Sequence, residues 1–297
     1  MKRLICGALL LLAATLCGCS DHPRTTALLA QAEALLAERP DSALQLLRQL
    51  PAERLGSRAL KARHALLTAE ACARAGSDAE TDSLLDAAWD YYRNRPDEVR
   101  NRCRTRYYQG RSRLRRGDKP GALRLFLEVE EELLRVDEPY YRGLLCLRIG
   151  EVHYAELDFA GAYRRFREAR NLFMRSERPR QTVEALLGMT SSALRMRDPE
   201  RARRDCTLAL DLADELQDEA LAGRCLACFA TLYTVSDRER IPDELLQRID
   251  RSVRGDTTAT GLRTLAQVQL LRQHPDSARR TLALAIGRTT RSEKRPI

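Results

Sequence analysis

Nine cysteines and four histidines carry most of the reactive chemistry open to this chain of 297 residues. Cys17 and Cys19 stand two apart at the end of a greasy run. Cys225 and Cys228 stand three apart, and Cys72, Cys103, Cys146 and Cys206 are scattered singly. A Cys-x-x-Cys pair can exchange disulfides when one thiol is held as the thiolate, and thiols with nearby imidazoles can hold zinc. The surroundings oppose both readings. "LAGRCLACFATLY" is an apolar helical run with no strand before it, unlike a thioredoxin-type motif. A metal at Cys17 and Cys19 needs further ligands, and only His22 is near. His64, His153 and His274 are isolated and read as helix-surface or packing residues. The zinc motif HExxH, a Walker glycine loop, GxSxG and paired catalytic carboxylates on a recognisable elbow are all missing. The expectation is a protein without catalytic residues, cofactor or metal. Cys225 and Cys228 alone keep a thiol-redox alternative open, and a sugar-active envelope protein is the related one.

The first cysteine pair reads best as an address. Lys2 and Arg3 make a short basic start, and Leu4 to Leu16 is an apolar run of 13 residues without a charge. A membrane span needs about 20 such residues, so this is the layout of an export signal. The segment Leu16-Cys17-Gly18-Cys19 resembles the lipobox of bacterial lipoproteins: a large apolar residue, a small one, Gly or Ala, then Cys. Cysteine is less usual than Ala or Ser in the second place. The resemblance implies a signal peptide over residues 1–18, cleavage before Cys19 and lipidation of its thiol, with residues 19–24 as a linker. More than one acyl chain gives stable anchoring, since each buried methylene contributes about 0.8 kcal/mol. Ser20 after the lipidated residue favours the outer membrane, facing the periplasm. An ordinary cleaved signal or an uncleaved buried helix is the plainer alternative.

Cleavage would leave 279 of the 297 residues, and loss of Lys2 and Arg3 would lower the formal net charge from +9 to +7. Almost all of the basic charge is Arg, for which a GC-rich coding sequence suffices. Such a balance would suggest nucleic acid in a cytosolic protein; outside the cytoplasm it suggests anionic lipid, acidic glycan or an acidic protein face, and no nucleic acid is expected. The six cysteines beyond Cys19 are spread too widely for a stapled scaffold and read mainly as buried thiols packing as small hydrophobes.

The elements that must position everything else are helices. Apolar residues recur every three or four places, and breakers fall at short intervals: Pro40-Asp41, Gly76, Pro96-Asp97, Gly117-Asp118, Pro139, Pro179, Asp198-Pro199, Pro242, Pro275-Asp276. They cut the chain into helices with Asp caps and Pro in first turns. A repeat of 40 residues runs through them: Gly110, Gly150 and Thr190; Asp118, Asp158 and Asp198; Ala122, Ala162 and Ala202; Phe126, Phe166 and Cys206; Val129, Ala169 and Ala209. Worn copies flank these, at "RPDSALQLLRQL" and "HPDSARRTLALA". The small residue lets two antiparallel helices touch, Ala faces it, Phe fills the gap between hairpins, and Asp starts the second helix. This small–Ala–large–Ala order resembles the tetratricopeptide repeat, stretched from a period of about 34. A Sel1-like or generic α-α superhelix stays open. The resemblance implies an all-α, right-handed solenoid over residues 25–290, with hairpins at 25–50, 57–94, 97–136, 139–175, 179–216, 219–254 and 258–290, then a basic tail at 291–297. From lipobox to repeats the chain looks like the tetratricopeptide lipoproteins of Bacteroidetes. Many of those continue into a membrane helix and a cytosolic regulatory part; here the repeats pass into "RTTRSEKRPI".

In such a solenoid the first helix of each hairpin lines a concave groove. The residues expected there are Arg104, Tyr107, Arg111 and Arg115, then Leu144, Leu147, Glu151 and Ala155, then Glu184, Leu187, Ser191 and Arg195, then Arg224, Ala227, Thr231 and Val235. Arg104, Tyr108, Arg111 and Arg115 also share one helical stripe, which suits carboxylates and gives rigid aromatic area. The carboxylate-clamp groove wants Asn in consecutive helices where Arg111, Glu151 and Ser191 stand. The expected function is a membrane-anchored, non-enzymatic scaffold binding a protein partner, with an acidic segment as the suggested ligand. An assembly factor similar to the tetratricopeptide lipoprotein of the β-barrel assembly machine is the alternative. The sequence does not set an oligomeric state.

Overall fold

The computed structural model describes residues 21–77, 81–235 and 240–293. It is all-α, with fourteen α-helices and no strand among the described residues, and none of those helices is long and apolar enough to cross a membrane. The chain divides into two compact units at 137/138, where a single array was expected. Unit one holds α1 (Asp21–Leu35), α2 (Pro40–Arg48), α3 (Arg58–Ala75), α4 (Thr81–Tyr92), α5 (Val99–Arg115) and α6 (Lys119–Leu133). Unit two holds α7 (Pro139–Ala155), α8 (Phe159–Arg175), α9 (Pro179–Arg195), α10 (Pro199–Glu215), α11 (Glu219–Val235), α12 (Asp243–Ser252), α13 (Ala259–Leu271) and α14 (Pro275–Glu293). These pair into the seven expected hairpins. The first helix starts at Asp21, inside the expected linker, and the last runs to Glu293, inside the expected tail.

The long period comes from helix length. Each of α7 to α11 has 17 residues, and three residues separate each from the next. Those three close the helix in a fixed way. Leu157, Glu177, Arg197 and Gln217 take left-handed φ of 64°, 53°, 58° and 52°. The next backbone N–H then bonds five residues back, as in Asp158 N to the His153 carbonyl at 2.9 Å and Asp198 N to the Ala193 carbonyl at 3.0 Å. That is the Schellman closure. The same Asp caps the following helix: Asp158 accepts from Gly161 N at 2.8 Å and Asp198 from Arg201 N at 3.0 Å. In unit one Gly117 occupies the left-handed position at 83°, and Asp118 caps through Gly121 N at 2.9 Å.

Packing follows the repeat. Ala162 and Ala169 are fully buried, and Phe166 lies against two glycines, Gly150 of its own hairpin and Gly188 of the next. A Cβ on either would stand 2.8 Å from the Phe166 ring; in unit one a Cβ on Gly110 would stand 2.6 Å from Phe126. Where Thr190 replaces the glycine, Cys206 replaces the ring, and both are buried. The lost ring makes room for the threonine side chain.

Two outcomes are expected. Gly150→Ala should destabilise by about 1–3 kcal/mol, because overpacking outweighs the helix propensity it gains. Gly223→Ala, with nothing within 4 Å of the new Cβ, should stabilise by up to about 1 kcal/mol. Urea unfolding followed by circular dichroism checks the opposite signs. Leu157→Gly should raise the melting temperature by about 2–4 °C, since a left-handed non-glycine costs about 1 kcal/mol and this side chain is exposed. A melt that stays put or falls contradicts the strain assigned to that turn.

Candidate partner groove

The arginine–tyrosine stripe expected on α5 does not form a groove. Arg104 is only 2% exposed. Its Nη2 donates to Glu70 at 2.7 Å and its Nη1 to Glu33 at 2.5 Å. Arg74 also meets Glu70, at 2.9 Å, and Arg63 meets Glu33, at 2.7 Å. Five charged side chains thus tie α1, α3 and α5 together inside unit one. Tyr107 and Tyr108 are buried too, and Tyr107 packs on Phe126 with ring centroids 6.0 Å apart. Arg111 is half-buried and donates to the Ala73 carbonyl at 2.6 Å; Arg115 is exposed. Arg104, Tyr107 and Tyr108 are therefore core, and the charge of Arg104, the most buried arginine of the stripe, is neutralised within the fold.

Burial alone would raise the Glu70 carboxyl, but Arg104 and Arg74 outweigh it and hold the group below its ordinary 4.5. Glu33 is lowered likewise, by Arg104 and Arg63 against the same desolvation. A carboxylate held low stabilises the fold above its unfolded pKa and loses that contribution as acid protonates it.

The groove lies in unit two. A concavity of about 720 Å³ is formed by the inner helices α7, α9, α11 and α13. Leu147 and Glu151, Glu184, Leu187 and Ser191, and Arg224 and Ala227 line it, whereas Leu144, Ala155, Thr231 and Val235, expected from the same register, lie outside that lining: Leu144 is buried, and Ala155 and Val235 are exposed at helix ends. Thr264, 40 residues beyond Arg224, lines it as well. Arg195 is exposed outside that lining, over the Phe159 ring at 5.0 Å. The floor is low at Ala220, Gly223 and Ala227, which offer little or no side chain, while at Gly188 the Phe166 ring fills the space a Cβ would take. Two internal pairs cross the walls: Arg148 donates twice to Glu151, at 2.6 and 2.8 Å, and Arg224 lies 3.6 Å from Glu184. Ser191 donates to the Leu187 carbonyl at 2.9 Å, which leaves its lone pairs open to a ligand donor. Sequence reasoning did not find Glu219 or Asp256, which also line the groove. Asp256 sits in the α12–α13 connection and accepts from the backbone N–H of Thr258, the residue that caps α13, at 2.8 Å, so helix periodicity gives no signal for it.

Burial holds Cys206, Cys225 and Cys228 as thiols. Cys225 and Cys228 are not bonded to each other, and burial pushes their thiols up, to about 12 and about 11. Burial raises the neighbouring Cys206 further. A nucleophilic thiol needs the opposite shift. Cys17 and Cys19 lie outside the described residues.

Arg104→Met should cost about 3–5 kcal/mol, because it strands the buried Glu70 against one remaining arginine. Arg115→Gln should change stability by under about 0.5 kcal/mol. For the unchanged protein, urea midpoints measured from pH 6 downward should fall as the pH passes below 4.5, the ordinary glutamate value. Equal urea midpoints for the two variants contradict the buried network.

No family model matches the sequence, and no curated protein matches it. Solved structures do. The apo form of RapI is 14% identical with a TM-score of 0.67, covering 86% of this chain and 74% of that one. NprR in complex with its cognate peptide NprX is 14% identical at 0.64, covering 89% and 78%. A signal-transduction ATPase with a tetratricopeptide repeat sensor, from Pyrococcus horikoshii, is 12% identical at 0.66, covering 91% and 43%. At such identities the likeness is one of fold, and it identifies a tetratricopeptide-like helical-repeat solenoid.

Proposed function

We propose that this chain is a non-enzymatic scaffold, anchored in the bacterial cell envelope through lipid on Cys19, that holds a segment of a protein partner in the groove of unit two. The observation that carries the reading is the groove itself. Its lining comes from repeat positions on four inner helices, and its floor carries little side chain at Gly223 and Ala227. A volume of about 720 Å³ lies within the roughly 300–1,000 Å³ typical of ligand pockets. Helical repeats use such inner surfaces for extended ligands. Support by analogy comes from NprR, which holds its cognate peptide, and from a Rap protein complexed with competence and sporulation factor. The anchor rests on Leu16-Cys17-Gly18-Cys19 after a short apolar run, and Ser20 favours the outer membrane facing the periplasm.

A photo-crosslinking residue at Ala227 in cells should capture a polypeptide, while the same residue at Leu208, exposed on the outer helix α10, should not. Ala227→Trp should abolish capture by a crosslinker placed at Ser191. Cys19→Ser should release the protein from membranes or leave an uncleaved precursor, and Cys17→Ser should do neither. Equal capture from Ala227 and Leu208 would sink the groove, and lipid on the Cys19→Ser protein would sink the anchor.

A further inference from the structure

The groove has a charge opposite to that of the chain. Six charged side chains line it: Arg148, Glu151, Glu184, Glu219, Arg224 and Asp256. Arg148 is taken by Glu151 and Arg224 faces Glu184, so these four cancel as two pairs. Glu219 and Asp256 are left without an ion pair among the described residues, in a chain whose formal net charge is +9. Low-dielectric walls concentrate the field of such unpaired charges in a cleft.

We infer that the groove of unit two selects a cationic polypeptide segment, one that carries Lys or Arg to Glu219 and Asp256; this rests on the proposed groove function. The geometry suits a chain more than a compact ion. The floor at Gly223 and Ala227 allows a backbone to lie close, since nothing stands within 4 Å of a Cβ built on Gly223, and Leu147 and Leu187 offer apolar contact beside it. Ser191 and Thr264 already donate their hydroxyls to carbonyls one turn back, at 2.9 and 3.2 Å, so what they present is acceptor capacity. Acceptors and carboxylates together call for donors on the ligand: peptide N–H groups and a charged ammonium or guanidinium. An acidic segment would meet two like charges and no available cation.

The test uses the full chain in detergent against a synthetic random hexapeptide library, read by sequencing what is retained. Wild-type protein should enrich Lys and Arg over Ala227→Trp, whose groove is blocked. A selected peptide resynthesised with Gln for each basic residue should bind about tenfold more weakly. Glu219→Gln with Asp256→Asn should remove that preference while leaving the melting temperature unchanged, and added salt should mimic the loss. No enrichment, or enrichment of Asp and Glu, overturns the inference. Tenfold preference for a synthetic "RTTRSEKRPI", itself basic, would uphold the cationic specificity and make the occupant the tail of this chain, overturning the partner segment of the proposed function. If crosslinking at Ala227 still captures a polypeptide in cells while the library shows no basic preference, the groove function stands and the cationic specificity falls.

Discussion

Two helices can approach only as closely as the atoms between them allow, and here a single ring fixes that distance. Phe166 fits because Gly150 and Gly188 have no Cβ to meet it. The first contact holds a hairpin shut; the second sets the spacing to the next hairpin. The same ring and Gly188 also belong to the lining of the groove. The groove floor is therefore the exposed edge of a packing solution. At Gly188 the ring fills the vacancy, so a side chain there would first push the hairpins apart; the open depth comes from Gly223, where nothing stands within 4 Å of an added Cβ.

This coupling explains why so much of the fold could be read from the sequence. A contact repeated at a fixed period forces the same residue types to recur at that period, and Gly110, Gly150, Phe126 and Phe166 recur for that reason. The Asp caps recur because one residue both completes the closure of one helix and starts the next. The stretch from 34 to 40 residues was legible as a number but not as a cause. It lies in helices of 17 residues joined by left-handed turns, and the left-handed residues Leu157, Glu177, Arg197 and Gln217 carry no glycine to announce them. The division at 137/138 left no mark either, since the spacing of Gly110 to Gly150 runs straight across it.

The candidate site was half legible, and the difference is instructive. Repeat register correctly assigned Leu147, Glu151, Leu187, Ser191 and Ala227 to an inner surface. The same register failed for Arg104, because register says which way a position faces and not what stands in front of it. Glu33 and Glu70 lie 71 and 34 residues away in sequence. Their side chains reach across from α1 and α3, and no local pattern on α5 reports them. An arginine whose desolvation is offset by two carboxylates is as much a core residue as the tyrosines beside it.

Net charge misleads for a related reason. A sum over the whole chain weights every surface arginine equally, yet many of these are engaged locally, as Arg93 is with Asp90 at 3.6 Å and Arg240 with Asp243 at 3.7 Å. Exposed pairs of this kind contribute little to stability, and at a Debye length of about 8 Å their field does not reach far. What a ligand senses is the uncancelled charge inside the concavity it enters. There the arginines are matched one to one, and the carboxylates of Glu219 and Asp256 remain. A basic protein can thus present an acidic site, and the sign that governs recognition is set by pairing within the groove and not by the composition around it.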